Sequence, residues 1–307
     1  MEFKNKKNDS DDSDTNSNSS IDKMEKKIYP VYNENNFYIT KEIIQSILQK
    51  GNINKPINNI SLWQQAFIHK SYCENNDFKK NEKFFGCIDG VNEHKNLMPL
   101  QPDSNEVLEW LGDGILQSVA AIYLFKRFKD QREGFLTKIR SKLVRTETLS
   151  KLALFLNFDK YLIVSKHIEI ICNGRKNSRI LEDAFEAFIG AMMNDFGVDG
   201  YNICSTFIIN IIEKKIDITE LIINDDNFKD QLMRYYQKKY NGKFPIYEQK
   251  NLITTVGDNG IVNKRFHMFV RNNDNAIIGE GVARSKKEAE QKAAKAALMH
   301  FGISNGF

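Results

Sequence analysis

Nine residues set the terms on which this chain folds: Asn105-Glu106-Val107-Leu108-Glu109-Trp110-Leu111-Gly112-Asp113. Glu106, Glu109 and Asp113 stand at i, i+3 and i+7, so at 100° per residue they share an arc of about 60° on one helical face. Val107, Leu108, Trp110, Leu111, Ile115 and Leu116 occupy the remaining circumference. A helix so apolar is expected in a core, Trp110 with it, and three carboxylates there repel one another unless a cation holds them. A second run, Leu181-Glu182-Asp183-Ala184-Phe185-Glu186-Ala187-Phe188-Ile189-Gly190-Ala191, sets Asp183 and Glu186 on one face among small residues that permit close packing. Hard divalent cations take oxygen ligands and keep several waters, so carboxylates converging from two helices suit a Mg²⁺ or Mn²⁺ site. Such a site activates water for phosphodiester hydrolysis without a side-chain nucleophile. Either helix alone could equally present an acidic face to solvent; two of them, both apolar, in one neutral region favour the metal.

Charge divides the chain. Residues 1–36 carry 6 Lys against 8 acids, residues 37–225 balance at 24 and 24, and residues 226–307 carry 14 Lys and Arg against 8 acids. The first stretch has almost no large apolar residue and is expected to be a disordered tail through residue 36. From Phe37 the apolar residues recur at helical spacing: Ile43, Ile44, Ile47 and Leu48, then Leu62, Ala66 and Phe67. Further helices are expected over 104–128, 134–156, 179–196 and 200–214, which makes 37–220 an all-helical domain. Residues 74–104, with Gly90, Pro99 and Pro102, interrupt it as an inserted loop. His69 and Trp63 read as packing residues.

The basic end, 226–303, follows another rhythm. A helix over 227–240 precedes strand-like runs Ile246–Thr255, Lys264–Asn272 and Ala276–Ala283, separated by Gly257-Asp258-Asn259-Gly260 and Asn272-Asn273-Asp274-Asn275. Ser285 then caps a helix striped with Ala289, Ala293, Ala296, Ala297 and Leu298. The fold class is multidomain, all-α followed by a small α+β unit of order α-β-β-β-α. Lys286 and Lys287 fall in the first turn of the last helix, whose free N–H groups already favour anions, and Lys292 adds a third contact to phosphate.

Other classes drop out. The longest uncharged apolar run, Gly114–Phe125, falls short of the roughly 20 residues that cross a bilayer. No apolar leader stands at the start. Cys73, Cys87, Cys172 and Cys204 form no C-x-x-C pair, which argues against zinc and a disulfide framework and for an intracellular, cytoplasmic home.

These residues carry a resemblance to the ribonuclease III family. Asn105–Leu116 resembles its signature N-E-x-L-E-F-L-G-D-[SA]-[IVL]-L, with Trp110 in place of Phe and Gly114 in place of the small residue. Gln65–Tyr72 resembles Q-A-L-T-H-R-S-Y, Glu133–Val144 resembles E-G-x-L-T-x-x-R-x-x-L-V, and Ile180–Ala191 resembles I-L-A-D-x-x-E-A-L-I-G-A. Gly279–Ala294 is similar to the G-x-G-x-S-K-K-x-A-E-x-x-A-A of double-stranded RNA-binding domains. The resemblance implies a Mg²⁺-dependent endonuclease, with Mn²⁺ able to substitute, that cuts double-stranded RNA as a homodimer. It leaves 5′-phosphate and 3′-hydroxyl ends with short 3′ overhangs. Glu109, Asp113, Asp183 and Glu186 match the family's metal ligands, and Glu106 its acid at the dimer seam and cleavage site. Ser285, Lys286, Lys287 and Lys292 match its RNA-binding positions. Two family contacts are replaced: Met233-Arg234 stands where a groove-reading Gln or Glu is usual, and the first interstrand loop lacks its histidine. Arg234 and Lys264 are the candidates to compensate. The reading from another class is a non-catalytic double-stranded RNA binder, which the full set of acids disfavours.

Overall fold

The computed structural model describes residues 31–74, 97–223, 227–256 and 262–303. The helical part comprises α1 (Lys41–Lys50), α2 (Ile60–Gln65), α3 (Glu106–Arg127), α4 (Glu133–Leu143), α5 (Thr146–Phe155), α6 (Lys166–Ile171), α7 (Ser178–Phe196), α8 (Gly200–Lys215) and α9 (Ile218–Ile223). Its centre is α7, buried at Ile180, Leu181, Ala184–Met192 and Asp195 and packed on α3, α5 and α8. Phe188 of α7 meets Trp63 edge-on at 4.9 Å and lies 5.1 Å from Phe158, which in turn meets Phe67 at 4.9 Å. These rings lock α2 and the following turn against α7, an arrangement worth about 0.5–1.5 kcal/mol per pair beyond area burial.

The second unit has its own core. Helix α10 (Phe228–Lys239) and helix α11 (Lys286–His300) cover an antiparallel sheet of β1 (Ile246–Val256), β2 (Val262–Arg271) and β3 (Ile277–Ala283), in that spatial order. Ala289, Ala293 and Ala297 are wholly buried, and a Cβ on Gly279 or Gly281 would fall 2.2 or 2.3 Å from a carbonyl oxygen of α11. The alanine stripe and the two glycines therefore serve one purpose, to let α11 lie directly on β3.

Four expectations change. Residues 1–30, the core of the insertion (75–96) and the turn 257–260 lie outside the described residues. The expected tail, however, ends before residue 31: Asn33 is buried and donates to Val164 O at 3.0 Å, Asn36 donates to the same carbonyl at 3.0 Å, and Lys166 N donates to Val31 O at 3.1 Å. A polar strap can pack when its amides satisfy backbone that no neighbouring element reaches. The single helix expected over 134–156 is two, α4 and α5, broken at Val144–Arg145, where Thr148 Oγ1 donates to the open Lys142 carbonyl at 2.7 Å.

Helix α3 is 22 residues, long and apolar enough by length and composition to cross a bilayer, contrary to the shorter run read from the sequence. It packs instead against α7, α4 and α8, with three acids in its first two turns. Trp110 is not a core residue: it is 79% exposed, and Val107 74%. Trp63 is wholly buried as expected.

Candidate active site and nucleic-acid interface

Helices α3 and α7 cross where neither has a side chain. A Cβ on Gly112 would stand 1.8 Å from Glu186 O, and one on Gly190 would stand 2.1 Å from Leu108 O. Backbone meets backbone, so the side chains one turn along each helix face each other across a narrow cleft. Glu109 and Asp113 approach from one helix and Asp183 and Glu186 from the other, close enough that Glu109 bears on Asp183 and both α3 acids bear on Glu186. Glu186 is 8% exposed. Gln117 Nε2 donates to Asp113 Oδ1 at 3.2 Å.

The field in the cleft is strongly negative. Burial pushes the Asp183 carboxyl up to about 7, helped by the charges of Glu109 and Glu182. Burial likewise pushes Glu186 up to about 8, with Asp113, Glu182, Glu109 and Asp183 all adding repulsion. Glu109 is raised by burial and then by Glu106. Glu106 differs: at the mouth, its carboxylate accepts from Lys70 Nζ at 2.9 Å and Ser104 Oγ at 3.1 Å, and the Lys70 hydrogen bond holds it below the usual range. Glu106 shares the helical face of Glu109 and Asp113, but its hydrogen bonds run outward to Lys70 and Ser104.

Glu182 was missed. It stands where the family pattern has Ala, is raised by burial, accepts from Thr146, and bears on Glu109, Asp113, Asp183 and Glu186. Its signal was available, since 182, 186 and 183 fan over about 100° of one helix with Glu186 in the middle.

Among the described residues, no three carboxylate, imidazole or thiol groups stand close enough to enclose an ion by themselves. The donor set still fits a hard divalent cation. Half-buried carboxylates that repel one another are stabilised by a 2+ charge, and Mg²⁺ retains waters that span the gaps between ligands. His69 is no ligand here: its Nδ1 accepts from Ser71 N at 3.2 Å, and burial pulls its pKa down.

The predicted phosphate contacts gather at the start of α11. Ser285 caps it, its Oγ accepting from Glu288 N at 3.2 Å, and Lys286 and Lys287 are exposed in the first turn. Lys292 pairs with Glu288 at 2.9 Å and Arg234 with Asp230 at 3.0 Å, so either must exchange a carboxylate for a phosphate. Lys264 is exposed on β2 opposite Thr254, beside the first interstrand turn. Between the two units runs a cleft of about 1050 Å³, lined by Lys138, Arg145 and Arg179 on one side and Asn227, Ser285 and Lys287 on the other. Its helical-domain cations did not stand out in the sequence, because they are spread over α4, the α4–α5 junction and α7.

Residues 106–197 match the model of the ribonuclease III domain and residues 228–300 that of the double-stranded RNA binding motif. The chain is 35% identical over 242 residues to ribonuclease 3 of Latilactobacillus sakei, covering 78% of this chain and 90% of that one. It is 40% identical over 200 residues to ribonuclease 3 of Clostridium perfringens, covering 64% and 79%. A probable ribonuclease 3 of Acanthamoeba polyphaga mimivirus is 31% identical over 273 residues, 88% of this chain, which spans about half (47%) of that longer protein. Among solved structures, the nuclease domain of ribonuclease III from Campylobacter jejuni aligns with a TM-score of 0.44 at 26% identity, over 58% of this chain and 99% of that one.

Proposed function

The chain belongs to the ribonuclease III family of divalent-metal-dependent, double-stranded-RNA endoribonucleases, and on that premise we propose that the α3–α7 cleft is its cleavage site. Glu109, Asp113, Asp183 and Glu186 would hold Mg²⁺, or Mn²⁺ in its place. What supports this reading is the close backbone approach at Gly112 and Gly190 together with the mutual repulsion among the four carboxylates. When bound, the metal supplies Lewis acidity for in-line hydrolysis of a phosphodiester. Water adds to phosphorus, the P–O3′ bond breaks, and the departing 3′ oxygen takes a proton. The phosphate therefore stays on the 5′ end.

The chain's own groups bind and orient. Glu186, enclosed most completely, would hold the ion from α7, and Asp183 with the two α3 acids would complete the protein's share of its ligands. Lys286 and Lys287, together with Ser285, Lys292, Arg234 and Lys264, hold the duplex through its phosphates, in the manner of a module that reads A-form shape rather than sequence. The helical unit, with the strap that packs on it, runs over 31–223 and the RNA-binding unit over 227–303.

The exposed apolar stripe of α3 supports a homodimer. Val107, Trp110, Gly114 and Phe125 fall within about 60° of one another, directly beside the acid stripe. A second copy seated on that stripe brings its own cleft alongside, one for each strand, and the offset between the clefts leaves the short 3′ overhang. Cys73, Cys172 and Cys204 are free, which suits a reducing cytoplasm. The test is Glu109→Gln. This variant is expected to bind a long RNA duplex as the parent does and to cut none of it in Mg²⁺; cleavage by the purified variant removes the assignment.

A further inference from the structure

We infer that Lys70 exchanges partners during the reaction: in the RNA-free protein its ammonium holds Glu106, and on the bound duplex it moves to a backbone phosphate beside the cut, releasing Glu106 toward the cleft. The inference rests on the reading of the α3–α7 cleft as the cleavage site.

The backbone beneath Lys70 is fixed. Lys70 opens a short 3₁₀ turn, Lys70–Tyr72, whose ends are tied down by His69 N donating to Ile163 O at 3.0 Å and Gln101 N donating to Tyr72 O at 3.1 Å. Asn105 N, at the start of α3, donates to Ile68 O at 2.9 Å, so the turn and the acid helix are one rigid piece. All freedom lies in the lysine side chain.

That side chain is weakly held. The Lys70–Glu106 pair spans 2.9 Å, yet the two side chains are 66% and 53% exposed. Ion pairs as open to water as this break easily. The ammonium also bears on Asp183 and Glu109, which places it at the mouth of the cleft rather than on the outer surface. A duplex strand entering there brings phosphates next to at least five carboxylates. A lysine within reach of both the rim acid and the incoming strand exchanges one anion for the other at no net loss of charge pairing. Glu106, still held by Ser104 Oγ, then has one oxygen free beside the metal ligands.

Binding of an uncleaved duplex tests this independently of catalysis. Full-length protein carrying Glu109→Gln is titrated with an RNA duplex of about 30 base pairs, without Mg²⁺, over a range of salt concentrations. Adding Lys70→Met is expected to weaken binding several-fold and to lower the slope of log affinity against log salt by about 0.7–0.9 for each Lys70 engaged. Lys70→Arg should restore both. Glu106→Gln should tighten binding when Lys70 is present and do so much less in the Lys70→Met background, because only the former has a lysine to release. An unchanged slope in Lys70→Met, or an equal effect of Glu106→Gln in the two backgrounds, overturns the exchange. Cleavage by the Glu109→Gln protein in Mg²⁺ would overturn the site reading instead, and the binding slopes stay interpretable.

Discussion

Adding one methyl group at Gly112 tests the arrangement of the cleft most directly. The new Cβ would lie 1.8 Å from the Glu186 carbonyl oxygen and 2.6 Å from its carbon, both backbone atoms of a buried helix that cannot rotate away. Restoring an ordinary contact of about 3.4 Å requires α3 and α7 to part locally by about 1.6 Å. Overpacking of this kind typically costs about 1–3 kcal/mol, and the separation acts on both acid pairs at once. Mg²⁺ demands near-ideal geometry at about 2.0–2.1 Å from its ligands, so a shift of that size disrupts the set even if the protein stays folded. Gly112→Ala should therefore lower the thermal midpoint, weaken Mn²⁺ binding at least tenfold, and reduce cleavage by two orders of magnitude or more. Gly114→Ala, two residues along the same helix, is the control: no atom lies within 4 Å of its new Cβ. Relief of the glycine penalty should stabilise that variant's protomer by up to about 1 kcal/mol, and its Mn²⁺ binding should hold. Calorimetry, Mn²⁺ titration and a duplex cleavage assay read all three quantities. If Gly112→Ala keeps the parent's midpoint and activity, the backbone contact does not set the cleft.

The raised carboxyls predict how stability follows pH. Burial and mutual repulsion hold Asp183 near 7 and Glu186 near 8 in the fold against the usual 3.8 and 4.5, so the folded state binds more protons between those limits. Metal-free protein should lose stability as pH rises from about 4 to about 8, and saturating divalent metal should flatten that trend; calorimetric titration at pH 7 in two buffers should show protons released on metal binding. Replacing Lys286 and Lys287 together by Ala should lower the salt slope for duplex binding by roughly 1.4–1.8 while thermal stability holds; an unchanged slope removes them from the interface. Trp110→Glu should convert a dimer to a monomer by sedimentation and depress cleavage, and a dimeric Trp110→Glu protein would move the seam elsewhere.

How much of this was visible beforehand varies with range. The i, i+3, i+7 acids, the cap at Ser285 and the α-β-β-β-α order are local patterns, and each strand bound was read to within two residues. The crossing at Gly112 and Gly190 was not legible as such, because which glycine meets which carbonyl depends on two helices separated by about 50 residues. Trp110 misled for a related reason. An apolar residue on an apolar helix looks buried, but α7, α4 and α8 together cover only part of α3, and nothing else in the described chain covers the stripe at Trp110. Asn33 misled in the opposite direction, since a polar residue in polar surroundings gives no sign that a distant carbonyl awaits its amide.

The insertion is closed off at its root. Tyr72 Oη donates to Met98 O at 2.7 Å, Glu74 N donates to Gln101 O at 2.8 Å, and Cys73 bridges to Gln101. Whatever the chain does between 75 and 96, it re-enters α3 at the same point, so its length is uncoupled from the placement of the acids. Closing a longer loop adds only about 0.6 kcal/mol per doubling. This makes the segment a graft point: sequence exchanged there should leave the placement of the α3 acids unchanged.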